Sequence, residues 1–253
     1  MKFSANLGFL WAELPLDIAI RRAHAAGFDA VEMHWPFASD RAAVKRALAD
    51  TGLPLMGLNT DRGPTGQNGL CALVGHTQHA RSAIDQAFDW AADLGAANVH
   101  VMAGFAAGPA AHDAFVENLI YASERGRDCG VGVLIEPLNR FDAPGYFLGN
   151  QDQAVNILKQ VDRGNVRLMF DCYHVARTEG NVIDTFDRVR SWVGHVQFAG
   201  APDRGEPDSG SVDYSQVLAH ILSQGWTSPM GAEYKPRGDI EAGLSWLARF
   251  QDR

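Results

Sequence analysis

Cysteine is scarce and unpatterned, with only Cys71, Cys129 and Cys172 in 253 residues. An odd number at wide spacing suggests neither a disulfide framework nor a zinc cluster. Positive charge is short as well. Lys and Arg total 22 against 30 Asp and Glu, a formal net charge of -8, whereas surfaces that neutralise phosphates carry a basic footprint. No apolar run nears the roughly 20 residues that cross a bilayer. The opening Met1-Lys-Phe-Ser-Ala-Asn6 lacks the apolar region of a secretory signal,. A reducing cytoplasm is therefore the expected compartment, with neither a membrane nor a nucleic acid as partner. No Gly-x-Gly-x-x-Gly opens the first helical segment, which disfavours a doubly wound dinucleotide-binding sheet. Linkers and low-complexity stretches are missing too, so residues 1–253 are expected to form one domain,.

What the sequence does have is alternation. Apolar runs with β-branched or aromatic content lie near 3–7, 28–34, 53–59, 97–103, 131–138, 166–172, 193–199 and 228–234. Helical periodicity fills the intervals. It is clearest at Ala80, Ala83, Ile84, Ala87, Phe88, Ala91 and Leu94, and recurs over 15–26, 40–51, 111–128, 151–162, 182–190, 214–224 and from Ile240 to Phe250,. Pro15 suits a first helical turn, and Gly27, Gly52, Gly95, Gly130 and Gly225 stand where helix-ending glycines belong,. Eight strand–helix repeats predict an α/β fold of the (β/α)8 barrel type. Two long loops, Asp61–His76 and Gly200–Val212, follow the third and seventh strands and are expected to serve binding,.

The stretch richest in chemistry is Val131-Gly-Val-Leu-Ile-Glu-Pro-Leu-Asn139. Its unbroken apolar run reads as a strand buried on both faces, and it ends on the carboxylate of Glu136. A buried carboxylate is costly without a partner or a cation. The pattern repeats in Val166-Arg-Leu-Met-Phe-Asp171, Val193-Gly-His-Val-Gln197 and Ser228-Pro-Met-Gly-Ala-Glu233. Successive members lie about one βα unit apart, on strands five to eight, at the barrel end where chemistry is normally placed. Two glutamates, an aspartate and an amide oxygen form an all-oxygen set suited to Mg²⁺ or Mn²⁺. Glu136, Asp171, Gln197 and Glu233 are thus the expected metal ligands. A Lewis-acidic cation beside Glu136 and Glu233 fits proton transfer between neighbouring carbons of a hydroxy-carbonyl compound, one glutamate removing the proton and the other returning it.

The sequence also resembles the hydroxypyruvate isomerase family among the xylose isomerase-like barrels. The matching motifs are Phe3-Ser-Ala-Asn-Leu7, Gly27-Phe-Asp-Ala-Val-Glu32, Gly57-Leu-Asn-Thr60, His100-Val-Met-Ala-Gly104 and Ile135-Glu-Pro-Leu-Asn139, followed by Pro144-Gly-Tyr-Phe-Leu148, Phe170-Asp-Cys-Tyr-His174, His195-Val-Gln197, Arg204-Gly-Glu-Pro207 and Glu233-Tyr-Lys-Pro236. The resemblance implies a metal-dependent isomerase converting hydroxypyruvate to tartronate semialdehyde through an enediolate, with Glu136 and Glu233 as proton donor and acceptor. It also implies a substrate contact for His174. Gln197 favours this branch over the ketose epimerases, which typically carry His there. The alternatives are an epimerase or isomerase of a larger ketose or 2-oxo sugar acid, and a non-catalytic sugar-binding barrel.

Further substrate contacts are expected from the surrounding residues. Arg204, in the loop after strand seven, offers a fork for a carboxylate, with Glu206 as its orienting partner. Lys235 shares the face of Glu233 by strand alternation. Glu32 is expected to touch a substrate hydroxyl or support a ligand residue, and Asn59 is a polar contact. The substrate is a small hydroxy-carbonyl or sugar molecule, bound by a monomer or a homo-oligomer. The chain departs from the family pattern at Met33-His-Trp-Pro-Phe37, at Asp61-Arg-Gly-Pro64 and over Gly66–Gly75, loops that bear on substrate choice.

Overall fold

The computed structural model describes residues 1–251. Eight strands alternate with helices: β1 (Phe3–Asn6), β2 (Ala30–Glu32), β3 (Leu58–Asn59), β4 (Asn98–His100), β5 (Gly132–Ile135), β6 (Val166–Asp171), β7 (Val193–Phe198) and β8 (Met230–Ala232). They form one sheet in the order β2-β1-β8-β7-β6-β5-β4-β3. The backbone just before β3 also pairs with β2, through Val31 N–H to Pro54 O at 3.0 Å and Met56 N–H to Val31 O at 2.9 Å. The fold is a nearly closed parallel (β/α)8 barrel, as the alternation predicts.

The helices are α1 (Leu16–Ala25), α2 (Arg41–Thr51), α3 (Thr77–Leu94), α4 (Pro109–Cys129), α5 (Gln151–Val161), α6 (Cys172–Thr178), α7 (Val182–Val189), α8 (Tyr214–Ser223) and α9 (Ser245–Gln251). Gly52, Gly95 and Gly130 end α2, α3 and α4 in the left-handed conformation, each returning its N–H to the last turn,. Two elements differ from the sequence expectation. α6 starts directly after the last residue of β6, because the Asp171 carboxylate accepts from Tyr173 N–H at 2.7 Å and caps it,. The final helix begins at Ser245 and not near Ile240, after a 3-10 turn over Ala242–Leu244.

The chain folds into two compact units. The first comprises Met1–Met56, Asp171–Arg188 and the chain from Val196 on. Its core centres on Trp246, which meets Phe3, Phe198, Tyr234 and Phe28 edge-on at ring-centroid distances of 5.5, 5.6, 6.0 and 6.1 Å. Strand register then sets the row that matters for chemistry: Ser4 of β1 and Gln197 of β7 both stand opposite Gly231 of β8, and Asn6 stands opposite Glu32 of β2. The second unit comprises Gly57–Phe170 and Val189–His195. There α3 and α4 bury Ile84, Phe88, Phe115 and Leu119, and Asn118 donates to the carbonyl of Cys71 at 2.9 Å.

Candidate active site

In the first unit, side chains from β1, β2 and β7 meet in a polar row over Gly231 of β8. Glu32 is buried, and its carboxylate accepts from the Ser4 hydroxyl, from Gln197 Nε2 at 2.8 Å and from Asn6 Nδ2 at 3.4 Å. A Cβ on Gly231 would run into Glu32 Oε1 and come within 2.8 Å of Gln197 Cγ. The bare backbone there is what lets the two side chains meet. Asn6 Nδ2 also reaches Glu233 Oε1 at 3.1 Å and so joins this row to the next.

Glu233 sits just past β8 among hydrogen-bond donors. His34 Nε2 lies 2.9 Å from Oε1, and Arg204 Nη2 donates to Oε2 at 2.7 Å. Arg204 holds a left-handed backbone, φ 59°, which is unusual for a side chain of its size,. Its guanidinium lies 4.8 Å from the Phe9 ring centre and 5.1 Å from that of Tyr173, two cation–π contacts. Arg204 Nη2 and His174 Nε2 each lie 3.6 Å from Asp171 Oδ2. Burial pushes the Asp171 carboxyl up to about 7, with Arg204 opposing and the Glu233 charge adding to the rise. Burial would also raise Glu233, but Arg204 and His34 outweigh it and hold that carboxyl well below the usual range. Two carboxylates in one cluster are thereby driven in opposite directions.

Two acceptors in this cluster remain unused. Asp171 Oδ2 and Gln197 Oε1 are buried and have no hydrogen-bond partner. Buried oxygens without donors are uncommon and mark places where an ion or a substrate group completes the site.

In the second unit, Glu136 follows β5 and is buried, with His100 Nδ1 3.7 Å from its Oε2. Burial, aided by the charge of Glu136, raises the Tyr146 phenol well above its ordinary value. Tyr146 Oη accepts from Ala103 N–H at 2.9 Å. Asn59 is half-buried on β3. Glu136 is thus a buried carboxylate, an oxygen donor of the type hard cations take,.

Comparison with known proteins then decides the family. Residues 20–250 match the model of the xylose isomerase-like TIM barrels. A 2-oxo-tetronate isomerase of Cupriavidus necator is 36% identical over 260 residues, covering 100% of this chain and 99% of the relative. A hydroxypyruvate isomerase of Escherichia coli is 32% identical, covering 99% of this chain and 100% of the relative. The chain belongs to the xylose isomerase-like TIM-barrel family. Within it the chain falls with the hydroxypyruvate isomerase group and is an enzyme of the isomerase class. A crystal structure described as an AP endonuclease, family 2, from Brucella melitensis has a TM-score of 0.95 and 35% identity, covering 98% of each chain.

The sequence expectations for the first unit divide. Asp171, His174, Gln197, Arg204, Glu233 and Glu32 all enter one network. Lys235 does not: β8 ends at Ala232, strand alternation lapses, and the Lys235 side chain is exposed while its N–H donates to Arg204 O at 2.7 Å. Glu206 does not orient Arg204 either. It accepts from Arg237, at 2.9 Å from the backbone N–H and 3.1 Å from Nη1. His34 and Ser4 were absent from the expected site. Sharing the face of Glu32 was the available signal for His34; nothing in the sequence marked Ser4. Among the described residues no helix is long and apolar enough to cross a membrane.

Proposed function

We propose that this chain is a divalent-metal-dependent isomerase of a short 2-oxo hydroxy acid, with hydroxypyruvate and 2-oxo-tetronate the first substrates to test. Residues 1–253 act as one cytoplasmic catalytic domain in this reading. The observation that carries it is the pair of donorless buried oxygens, Asp171 Oδ2 and Gln197 Oε1, beside the ionised Glu233. This is the donor set of a hard cation. Glu136 at the end of β5 completes the ligands, with Mg²⁺ or Mn²⁺ as the cation. When bound, the metal supplies Lewis acidity toward the carbonyl and hydroxyl oxygens of the substrate.

The remaining chemistry belongs to side chains. With hydroxypyruvate, the C–H bond at the hydroxymethyl carbon breaks and its proton passes to one glutamate carboxylate, leaving an enediolate. The other glutamate returns a proton to the former carbonyl carbon while the hydroxyl proton passes from the terminal oxygen to the neighbouring oxygen, which gives tartronate semialdehyde. Glu233 is kept ionised by Arg204 and His34, as a proton acceptor must be. Arg204 is aligned by the Phe9 and Tyr173 rings, and its fork suits the substrate carboxylate. His174 and Asn59 offer further polar contacts. Phosphodiester cleavage is disfavoured by the net charge of -8, since strong DNA binding rests on neutralising phosphates.

The test uses protein stripped with a chelator and reloaded with Mg²⁺ or Mn²⁺, offered hydroxypyruvate, 2-oxo-tetronate and a set of ketoses. Turnover of one of the 2-oxo acids, lost on stripping and regained with metal, is expected. Turnover of ketoses alone moves the assignment to an epimerase. Activity indifferent to chelation removes the metal.

A further inference from the structure

Gln197 faces a difficulty that the other three proposed ligands do not. A carboxylate presents oxygen whichever way it turns, but an amide presents oxygen one way and NH2 the other. The NH2 end repels a cation, so a site that uses Gln197 needs something to fix its orientation.

The geometry points to Glu32 as that positioning residue: its carboxylate captures the NH2 end of Gln197 and so commits the amide oxygen to the metal site. This rests on the metal-dependent reading above. Glu32 comes from β2 and Gln197 from β7, with β1 and β8 lying between them in the sheet order. The contact therefore depends on the bare backbone of Gly231, where a Cβ would meet both side chains. Both oxygens of Glu32 act as acceptors, and the NH2 end of the amide is the end that donates: Gln197 Nε2 lies 2.8 Å from Glu32 Oε2. The amide oxygen is left buried without a hydrogen-bond donor. The Ser4 hydroxyl holds the other oxygen of Glu32 and Asn6 adds a longer bond, so the carboxylate is itself anchored. Asn6 also bonds Glu233, tying the orienting group to a proposed ligand. Glu32 is thus assigned to hold a ligand residue, and the substrate-hydroxyl contact also considered for it is set aside.

The test is a titration of chelator-treated protein with Mn²⁺, read by calorimetry and by the electron paramagnetic resonance signal of free Mn²⁺. Neither readout depends on turnover. Glu32→Gln keeps the shape but can bond either end of the amide, and Mn²⁺ affinity is expected to fall about 10–100-fold, the range for residues that orient metal ligands. The exchange variant Glu32→Gln/Gln197→Glu restores one carboxylate and one amide with their places reversed. Glu at 197 offers oxygen in either orientation and Gln at 32 donates to it, so affinity should return to within about threefold of the parent, since the lost contact is remade. A group that only stabilises the barrel would lower the melting temperature of Glu32→Gln without moving the affinity of its folded fraction. Unchanged affinity in folded Glu32→Gln overturns the proposal, as does an exchange variant that folds but binds no better than the single one. If Glu32→Gln does not fold, the exchange variant alone decides. Parent protein that takes up no Mn²⁺ defeats the metal-dependent reading itself, a different outcome from either.

Discussion

Replacing Arg204 with Gln tests how the first unit holds its charges without a cation. Arg204 Nη2 lies 2.7 Å from Glu233 and 3.6 Å from Asp171, and the side chains are 13%, 8% and 0% exposed. Removing one partner of a buried ion pair costs about 3–5 kcal/mol. Arg204 is partly solvated and His34 still bonds Glu233, so the lower end, about 3 kcal/mol, applies. In a chain of this size each kcal/mol moves the melting temperature by about 2–4 °C, which predicts a fall of about 6–12 °C in chelator. The deficit should also depend on pH. The folded-state carboxyl of Asp171 is raised from 3.8 to about 7, so its protonation stabilises the fold fully below its unfolded value. That contribution is lost as pH rises toward 7, and the variant should lose most at neutral and higher pH. Mn²⁺ replaces the missing positive charge and need not displace the arginine, so it should raise the melting temperature of the variant more than that of the parent. Thermal unfolding with and without Mn²⁺ gives both numbers. A fall under about 2 °C in chelator, or equal Mn²⁺ shifts in the two proteins, would refute the reasoning.

Other consequences can be checked together. Glu136→Gln and Glu233→Gln should each cut kcat by at least about 100-fold, the lower range for general acid–base groups, while circular dichroism shows the fold retained. A rate near that of the parent in either variant removes that glutamate from the mechanism. Trp246→Ala should destabilise by about 3–5 kcal/mol in denaturant unfolding, because the indole is fully buried among Phe3, Phe198, Tyr234 and Phe28. A loss below about 1 kcal/mol would mean that the first unit is not organised around it.

The fold was legible because helix and strand periodicities alternate cleanly and glycines punctuate the helix ends. The strand-end residues were legible for a related reason: a carboxylate closing an apolar run stands out, as Asp171 and Glu233 do. What joins them was hidden. Ser4, Glu32 and Gln197 are ordinary polar residues far apart in sequence, and only the register through Gly231 brings them together. Lys235 misled because alternation was carried past the end of β8. Helix α6 was missed because it is short and follows the strand with no loop between them, the last strand residue being its cap. Arg204 was read as a fork for a substrate carboxylate oriented by Glu206, whereas its Nη2 donates to Glu233, a pairing that no spacing rule reveals.

The most direct test of proton transfer by two glutamates is the fate of the migrating hydrogen. Metal-loaded protein is run on hydroxypyruvate in D2O, and tartronate semialdehyde is followed by proton NMR or trapped by reduction. Carboxyl protons exchange with solvent, so deuterium should appear at the carbon that was the carbonyl, in close to one equivalent from the first turnovers. Product that forms at the same rate but keeps the substrate hydrogen at that carbon would mean direct hydride transfer, and Glu136 and Glu233 would then be ligands without a role in moving the proton.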